Sequence, residues 1–290
     1  MSDRKNVLIV DCDEFLRAPL IDTSFALRLC DVDSRFDEVK RKLAKLYGED
    51  VAVSADGKTS ALKDLTAAKE ISIDGAADGF NKQRYNAVDA LRVIARLTEP
   101  DGCPWDRAQT HESIRINMIE EAYEAVDAID KRDVANMREE FGDVFLQSIL
   151  QSDIARRMGE FDFDDVCDEL CKKLIGRHTF IFGTETANNA DEALMGWEKA
   201  KAKEKHYTSV ADQLKKLPDN FPSLLLAEKV YKKRKKAGDT FDPENELKAA
   251  VSEKDYVGAI IAAVELLADG GRDAEVEVNL AAKRVIGSLE

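Results

Sequence analysis

The chain predicts a mainly α-helical protein, a four-helix-type bundle carrying a small N-terminal α/β extension. Three observations support that expectation. Apolar residues recur at three- and four-residue spacing through residues 86–206, with no sustained apolar/polar alternation of the kind a β-rich core needs. Pro100, Gly102, Pro104 and Gly159 cut this pattern into helix-sized lengths. An early apolar run, Val7 to Val10, has the length of a single strand.

In chain order, the Val7–Val10 run predicts a strand, and FDEVKRKLAKLY predicts a helix from Phe36 to Tyr47. The stretch from DGKTSALKDL to IDGAADG, rich in Gly, Asp, Ser and Lys, reads as turns and short elements. NAVDALRVIARL begins the helical region, with Val88, Leu91, Ile94 and Leu97 on one face. A loop with the sequence GCPWD follows, and further helices are expected near residues 110–131, 133–158, 163–178 and 191–205. Thr110 and Asp162 are suited to cap helix N-termini, and Gly159 to stop one. These readings divide the chain into an N-terminal module (1–85), a helical domain (86–206) and a C-terminal segment (207–290).

Composition narrows the function. The 290 residues carry 57 acidic and 43 basic side chains, a net charge of −14. Such a surface argues against duplex nucleic acid as the main partner, because phosphate backbones require a basic face. No apolar run is long enough to span a membrane, and MSDRKNVLIVDCDEF is too short and too acid-flanked for a secretion signal. Five cysteines form no disulfide or zinc framework, since Cys167 and Cys171 are wrongly spaced for a zinc knuckle. A reducing, cytoplasmic setting is expected.

The most informative residues are two acidic pairs, Glu121/Glu124 and Glu140/Asp143, in IEEAYEAVDAID and REEFGDVFLQSIL. Residues three apart on a helix project from one face. Each pair borders an apolar stripe: Met118, Ala122, Ala125 and Ile129 on one helix; Met137, Phe141, Val144 and Ser148 on the next. Antiparallel packing of those stripes would bring four carboxylates together. Such a group is costly to bury without a cation, and hard oxygen donors select Mg²⁺ or Mn²⁺. Glu120 and Glu139 lie about 100° around their helices, where a role in orienting water competes with a plain surface role.

The order of motifs adds a family. GCPWD, QTH (Gln109 to His111), IEEAYE, EEFGD, KLIGRHTFIFG (Lys173 to Gly183) and WEKAK (Trp197 to Lys201) together closely resemble the MazG-type nucleoside triphosphate pyrophosphohydrolases. The resemblance covers residues 86–206. It implies an all-α bundle completed by homodimerisation, and hydrolysis of NTPs or dNTPs to monophosphate and pyrophosphate. It also implies that Glu121, Glu124, Glu140 and Asp143 are metal ligands and catalytic residues. Lys173, Arg177 and Lys201 match phosphate-contacting positions. Trp197 either stacks on the base or anchors its helix. Trp105 and Asp106 either line the nucleotide pocket or fold their loop, with Trp105 plugging the core. Asn136 replaces a lysine found at that position in family members. His178 either contacts phosphate or is structural, and His111 has no pattern for zinc or nucleophilic chemistry.

Residues 207–290 read as a degenerate second domain of the same type, from FPSLLLAEKVYKKRKKAGDTFD onward. In DYVGAIIAAVELLADGG, Asp255 and Gly258 are aligned with the ExxD acids, which would leave no ligand pair. PENELKAAVSEK is expected to be too short to hold a complete helix carrying ExxE. The basic run KVYKKRKK reads as a solvated helical face, with contact to phosphate as the alternative. An alternative function in another class is a nucleotide-sensing protein with little turnover.

Overall fold

The structure is a computed structural model that describes residues 7–75, 80, 82 and 84–289. The first six residues of the N-terminal stretch and the AADG end of the turn-rich stretch lie outside the described residues. Two compact units are present, Met1–Leu170 and Cys171–Glu290.

The first unit opens with β1 (Val7–Asp11), α1 (Cys12–Arg17), β2 (Ala26–Cys30), α2 (Phe36–Tyr47), β3 (Ala52–Ala55), β4 (Lys58–Ala61) and β5 (Ile71–Ile73). The expected strand and the expected Phe36–Tyr47 helix are both present. The strands form one sheet in the order β1-β2-β5-β3-β4, with β1 parallel to β2 and the remaining pairs antiparallel. The sheet and its helices enclose a core of Phe15, Leu27, Leu29, Val39, Leu43 and Ile71. The β3–β4 hairpin turns at Asp56-Gly57, where both residues have positive φ (47° and 79°). Two left-handed residues match the twist of a tight hairpin, and Asp-Gly is suited to supply them.

Polar contacts tie this module to α3 (Ala87–Thr98). Asn86 and Asp89 form a reciprocal capping box at its N-terminus. The buried Asp89 also accepts from the Lys82 ammonium, which is itself largely buried. Arg92 grips Asp22 with two hydrogen bonds of 3.1 and 2.9 Å, and the Asn86 amide donates to the Ile21 carbonyl at 2.8 Å.

After α3 come the short helices α4 (Pro104–Ala108) and α5 (His111–Ile114), then α6 (Asn117–Lys131) and α7 (Val134–Met158). The GCPWD segment is thus partly helical, with Pro104 in the first turn. Gly102 is required ahead of it, because a Cβ there would sit 2.2 Å from the Leu97 carbonyl oxygen. The helix expected over 110–131 is divided by a turn at residues 115–116. Thr110 caps α5, and Gly159 closes α7 with φ 75°. Asp162 accepts from the backbone of Asp164 and Asp165 at the start of α8 (Phe163–Arg177). Ile94, Ile114, Ile149, Leu150 and Ile154 form the core of this helical part.

The remaining helices are α9 (Thr179–Phe182), α10 (Ala190–Glu204), α11 (Val210–Lys215), α12 (Ser223–Lys236), α13 (Pro243–Glu253), α14 (Tyr256–Asp269) and α15 (Ala274–Gly287). In the second unit α14 packs on α12 and α13. The PENELKAAVSEK segment forms an 11-residue helix, α13, and as expected that helix carries no ExxE pair. Asp242 caps it and Pro243 fills its first position, which compensates for its limited length. No described helix is long and apolar enough to cross a membrane.

Replacing Asp89 with Ala strands the Lys82 ammonium and removes the α3 capping box. We expect a loss of about 3–5 kcal/mol in urea denaturation, with Asp89→Asn losing less. A loss below about 1 kcal/mol would mean that Lys82 reaches solvent or another partner without cost.

Candidate metal centre

The site is built on the α6–α7 hairpin. Arg132 ends α6 in the left-handed conformation (φ 55°), and its N–H returns to the Ala128 and Ile129 carbonyls. Asp133 then caps α7 by accepting from Ala135 and Asn136. With this two-residue turn, α7 folds back along α6. The small side chains of Ala125 and Ala128 are buried on α6, which allows close approach.

The predicted stripes do not form this contact. Of the residues assigned to them, only Ala125 is buried, whereas Met118, Ile129, Phe141 and Val144 are exposed. The inward line on α7 runs instead through Glu140, Gln147, Leu150 and Ile154. The hairpin closes over its acidic positions and small residues, so the bulky stripe faces outward.

Glu121, Glu140 and Asp143 each offer a carboxylate oxygen, and these atoms lie within 4.8 Å of one another. Glu140 is buried, while Glu121 and Asp143 are half-buried. Glu124, the fourth expected ligand, is exposed and stands outside this group of three, yet its charge acts on both Glu121 and Glu140. Burial, and after it the charges of Asp143, Glu124 and Glu120, push the Glu121 carboxyl above the ordinary range. Burial and the charges of Glu124, Asp143, Glu139 and Glu121 do the same to Glu140.

Sequence reasoning missed Gln147. One turn beyond Asp143 on α7, it is buried and hydrogen-bonds Glu121, partly lowering that carboxyl's pKa. Its Oε1 has no hydrogen-bond partner. A buried glutamine in an otherwise apolar stretch is the signal that marks it. Crowded carboxylates and an unpartnered carbonyl oxygen form an all-oxygen donor set, which fits a hard divalent cation.

The other predicted residues divide between the units. Trp105 is 62% exposed on α4, which excludes the core-plug role, and Asp106 beside it is half-buried. Asn136 lies in the first turn of α7, its N–H bonded to Asp133. Glu120 and Glu139 are exposed. His111 Nδ1 is paired with Gln151, an arrangement that holds α5 on α7.

In the second unit, Lys173 is exposed on α8. Arg177 is buried and forks onto Glu204 at 2.7 and 3.0 Å. That hydrogen-bonded pairing holds the Glu204 carboxyl down to about 2. Arg177 and Lys201 both lie over the Trp197 ring, each 4.9 Å from its centroid. Trp197 is thus a platform for cations, a role neither expected alternative described. His178 Nδ1 is 2.7 Å from the Leu174 carbonyl, a structural contact.

A second hairpin, α13–α14, repeats the turn of the first. Lys254 is left-handed (φ 61°) and bonds the Ala250 and Val251 carbonyls, as Arg132 bonds Ala128 and Ile129. Asp255 caps α14 by accepting from Gly258 at 2.9 Å. This corrects the alignment drawn from sequence, because Asp255 corresponds to the capping Asp133 and not to a ligand. Counting from the left-handed residues, Glu246 falls at the position of Glu124, and Glu265 at that of Asp143. Pro243 and Ala262 take the places of Glu121 and Glu140. Two acids therefore persist where none was expected. Glu265 is buried with Oε2 unpartnered, and burial followed by the Glu246 charge raises its pKa.

The model of the MazG nucleotide pyrophosphohydrolase domain matches residues 109–182, a segment that contains all four carboxylates. Similar proteins include the nucleoside triphosphate pyrophosphohydrolase of Escherichia coli (strain K12), 36% identical over 150 residues, or 51% of this chain and 57% of that protein. The protein of that name from Mycolicibacterium smegmatis is 35% identical over 223 residues, 70% of this chain and 67% of the relative. The nucleoside triphosphate pyrophosphohydrolase/pyrophosphatase MazG of Thermotoga maritima is 36% identical over 157 residues, 54% of this chain and 60% of the relative. The chain thus spans little more than half the length of the E. coli protein.

In metal-free protein, the raised Glu121 and Glu140 pKa values mean that the folded state binds more protons than the unfolded chain. The window lies between the ordinary glutamate pKa and the raised folded values. Stability should therefore fall as pH rises through it, and Mg²⁺ should oppose that fall. Glu140→Gln should raise the metal-free Tm by about 2–4 °C and shrink the Mg²⁺-induced gain. A wild-type Tm indifferent to Mg²⁺ and Mn²⁺ would refute the metal centre.

Proposed function

The chain belongs to the MazG nucleotide pyrophosphohydrolase family, and from that premise we propose that it hydrolyses nucleoside triphosphates to the monophosphate and pyrophosphate. The observation that carries this reading is the group of three carboxylates on the α6–α7 hairpin, inside the matched segment. Glu121, Glu140 and Asp143 hold Mg²⁺ or Mn²⁺, with Glu124 at the edge of the group. A bound divalent ion supplies charge neutralisation for the phosphate oxygens and lowers the pKa of the attacking water.

The protein's own groups do the rest. Glu120 and Glu139, exposed beside the cluster, are available to orient water. Lys173, Lys201 and Arg177 contact phosphate, and at Arg177 a phosphate replaces the Glu204 carboxylate on the same planar fork. Trp105 and Asp106 line the nucleotide pocket. The role is control of a cytoplasmic nucleotide pool. Exposed apolar side chains on α6 and α7, among them Ile119, Tyr123, Val126 and Phe141, support a homodimer that buries this face.

In this reading residues 1–85 are an appended module, 86–206 the catalytic domain and 207–290 a degenerate second copy. The repeated turn at Lys254-Asp255 supports the last assignment, and the loss of two ligand positions supports reading that copy as inactive.

The test is phosphate release from a panel of NTPs and dNTPs with Mg²⁺, with and without added inorganic pyrophosphatase. Release only with the added enzyme establishes cleavage between the α and β phosphorus atoms. Glu140→Gln should lower turnover by at least about 10²-fold. Direct release of phosphate, or no release with either Mg²⁺ or Mn²⁺, would overturn the assignment.

A further inference from the structure

The second unit contains a cavity of about 370 Å³ walled by the C-terminal part of α10, the segment around α11 and the end of α12. Five lysines line it: Lys199 and Lys201 from α10, Lys216 just after α11, and Lys233 and Lys236 from α12. Its one acidic lining residue is Glu198, and Met195 and Tyr207 contribute apolar and aromatic wall. This concentration of positive charge occurs in a chain whose net charge is −14. The basic run of α12, expected to be a solvated face, supplies two of the five.

Little in the protein neutralises these ammonium groups. Lys216 has Asp212 at 3.7 Å, and Lys233 donates to the neutral Gln213 carbonyl at 3.0 Å. Lys201 lies over the Trp197 ring. Among the described residues, neither Lys199 nor Lys236 has a carboxylate within ion-pair distance. Several of the lysines stand near helix C-termini, where backbone carbonyls favour positive charge. That effect accounts for their tolerance but is too small to cancel five charges around one space. A multiply charged anion would relieve the repulsion at every wall at once.

We propose that this cavity binds an oligophosphate chain, either free or as the tail of a nucleotide, without needing a divalent metal. Flexible point charges on three segments suit a chain of tetrahedral phosphates, whose charge is distributed along its length. The volume lies in the range of small-molecule sites, roughly 300–1,000 Å³. The site shares only Lys201 with the proposed phosphate contacts of the hydrolase, and all five of its lysines lie outside the family-matched segment. An oligophosphate site of this kind would respond to pyrophosphate or nucleotide levels independently of turnover.

The test is calorimetric titration of the full chain with inorganic tripolyphosphate in EDTA, where the carboxylate centre cannot hold phosphate through a metal. Saturable binding is expected, weakening steeply with salt. Lys233→Ala/Lys236→Ala should weaken it by about tenfold or more, while Lys233→Arg/Lys236→Arg should stay within about threefold of wild type. Glu140→Gln should bind as wild type does, which separates this site from the hydrolase reading. ATP binding more tightly than tripolyphosphate in EDTA would identify the nucleotide tail as the ligand, and weaker ATP binding would identify free oligophosphate. Absence of saturable binding, or equal binding by wild type and the alanine pair, would overturn the proposal.

Discussion

Three carboxylates kept within 4.8 Å of one another, with one of them buried, require a scaffold that resists their mutual repulsion. Here it begins with the two-residue turn at Arg132-Asp133. A left-handed residue closes the last turn of α6, and the next side chain caps α7, so the reversal uses almost no chain and leaves little freedom for the helices to separate. Ala125 and Ala128 keep the helices close, and α7 is fixed in turn by the core formed by Ile94, Ile114, Ile149 and Ile154. Burial, together with the repulsion that would otherwise splay the hairpin, raises the carboxyl pKa values, and a divalent cation can relieve both costs.

The second hairpin shows that this scaffold can exist without the full donor set. Its turn, its capping aspartate and its helix pairing repeat those of the first, while Pro243 and Ala262 replace two of the acids. Backbone hydrogen bonds and a cap therefore suffice for the fold of the pair, and the carboxylates are added at a cost to stability. Glu265 remains as a buried carboxyl with an unpartnered oxygen and a raised pKa. Only one of its two nearby acidic influences, Glu246, comes from a corresponding ligand position, so the repulsion at this hairpin is weaker than at the first.

What could be read directly in the amino-acid order was local. The strand at Val7, the Phe36–Tyr47 helix, the caps at Thr110 and Asp162 and the stop at Gly159 all depend on neighbours within a few residues. The acidic positions were equally legible, because spacing on a single helix places them on one face. Partner choice was less accessible. The stripe containing Phe141 and Val144 has a helical period, but periodicity does not distinguish a face that packs within one chain from a face left exposed. Arg177 gave no sign of its pairing with Glu204, since the contact joins residues on different helices. The alignment of Asp255 failed because an acidic cap and an acidic ligand are the same residue type. Only the backbone conformation of Lys254 separates the two.

The distribution of charge completes the argument. Acidic residues dominate the chain as a whole, yet the first unit concentrates oxygen donors on one hairpin, and the second concentrates lysines around one cavity. Neither concentration is favourable for folding by itself, since each places like charges close together, the carboxylates in partly buried surroundings. The two have opposite ligand preferences: clustered carboxylates call for a cation, and clustered ammonium groups call for an anion. A metal–polyphosphate is both, an anion that carries its own cations. A chain that handles such ligands has a physical reason to maintain both kinds of site.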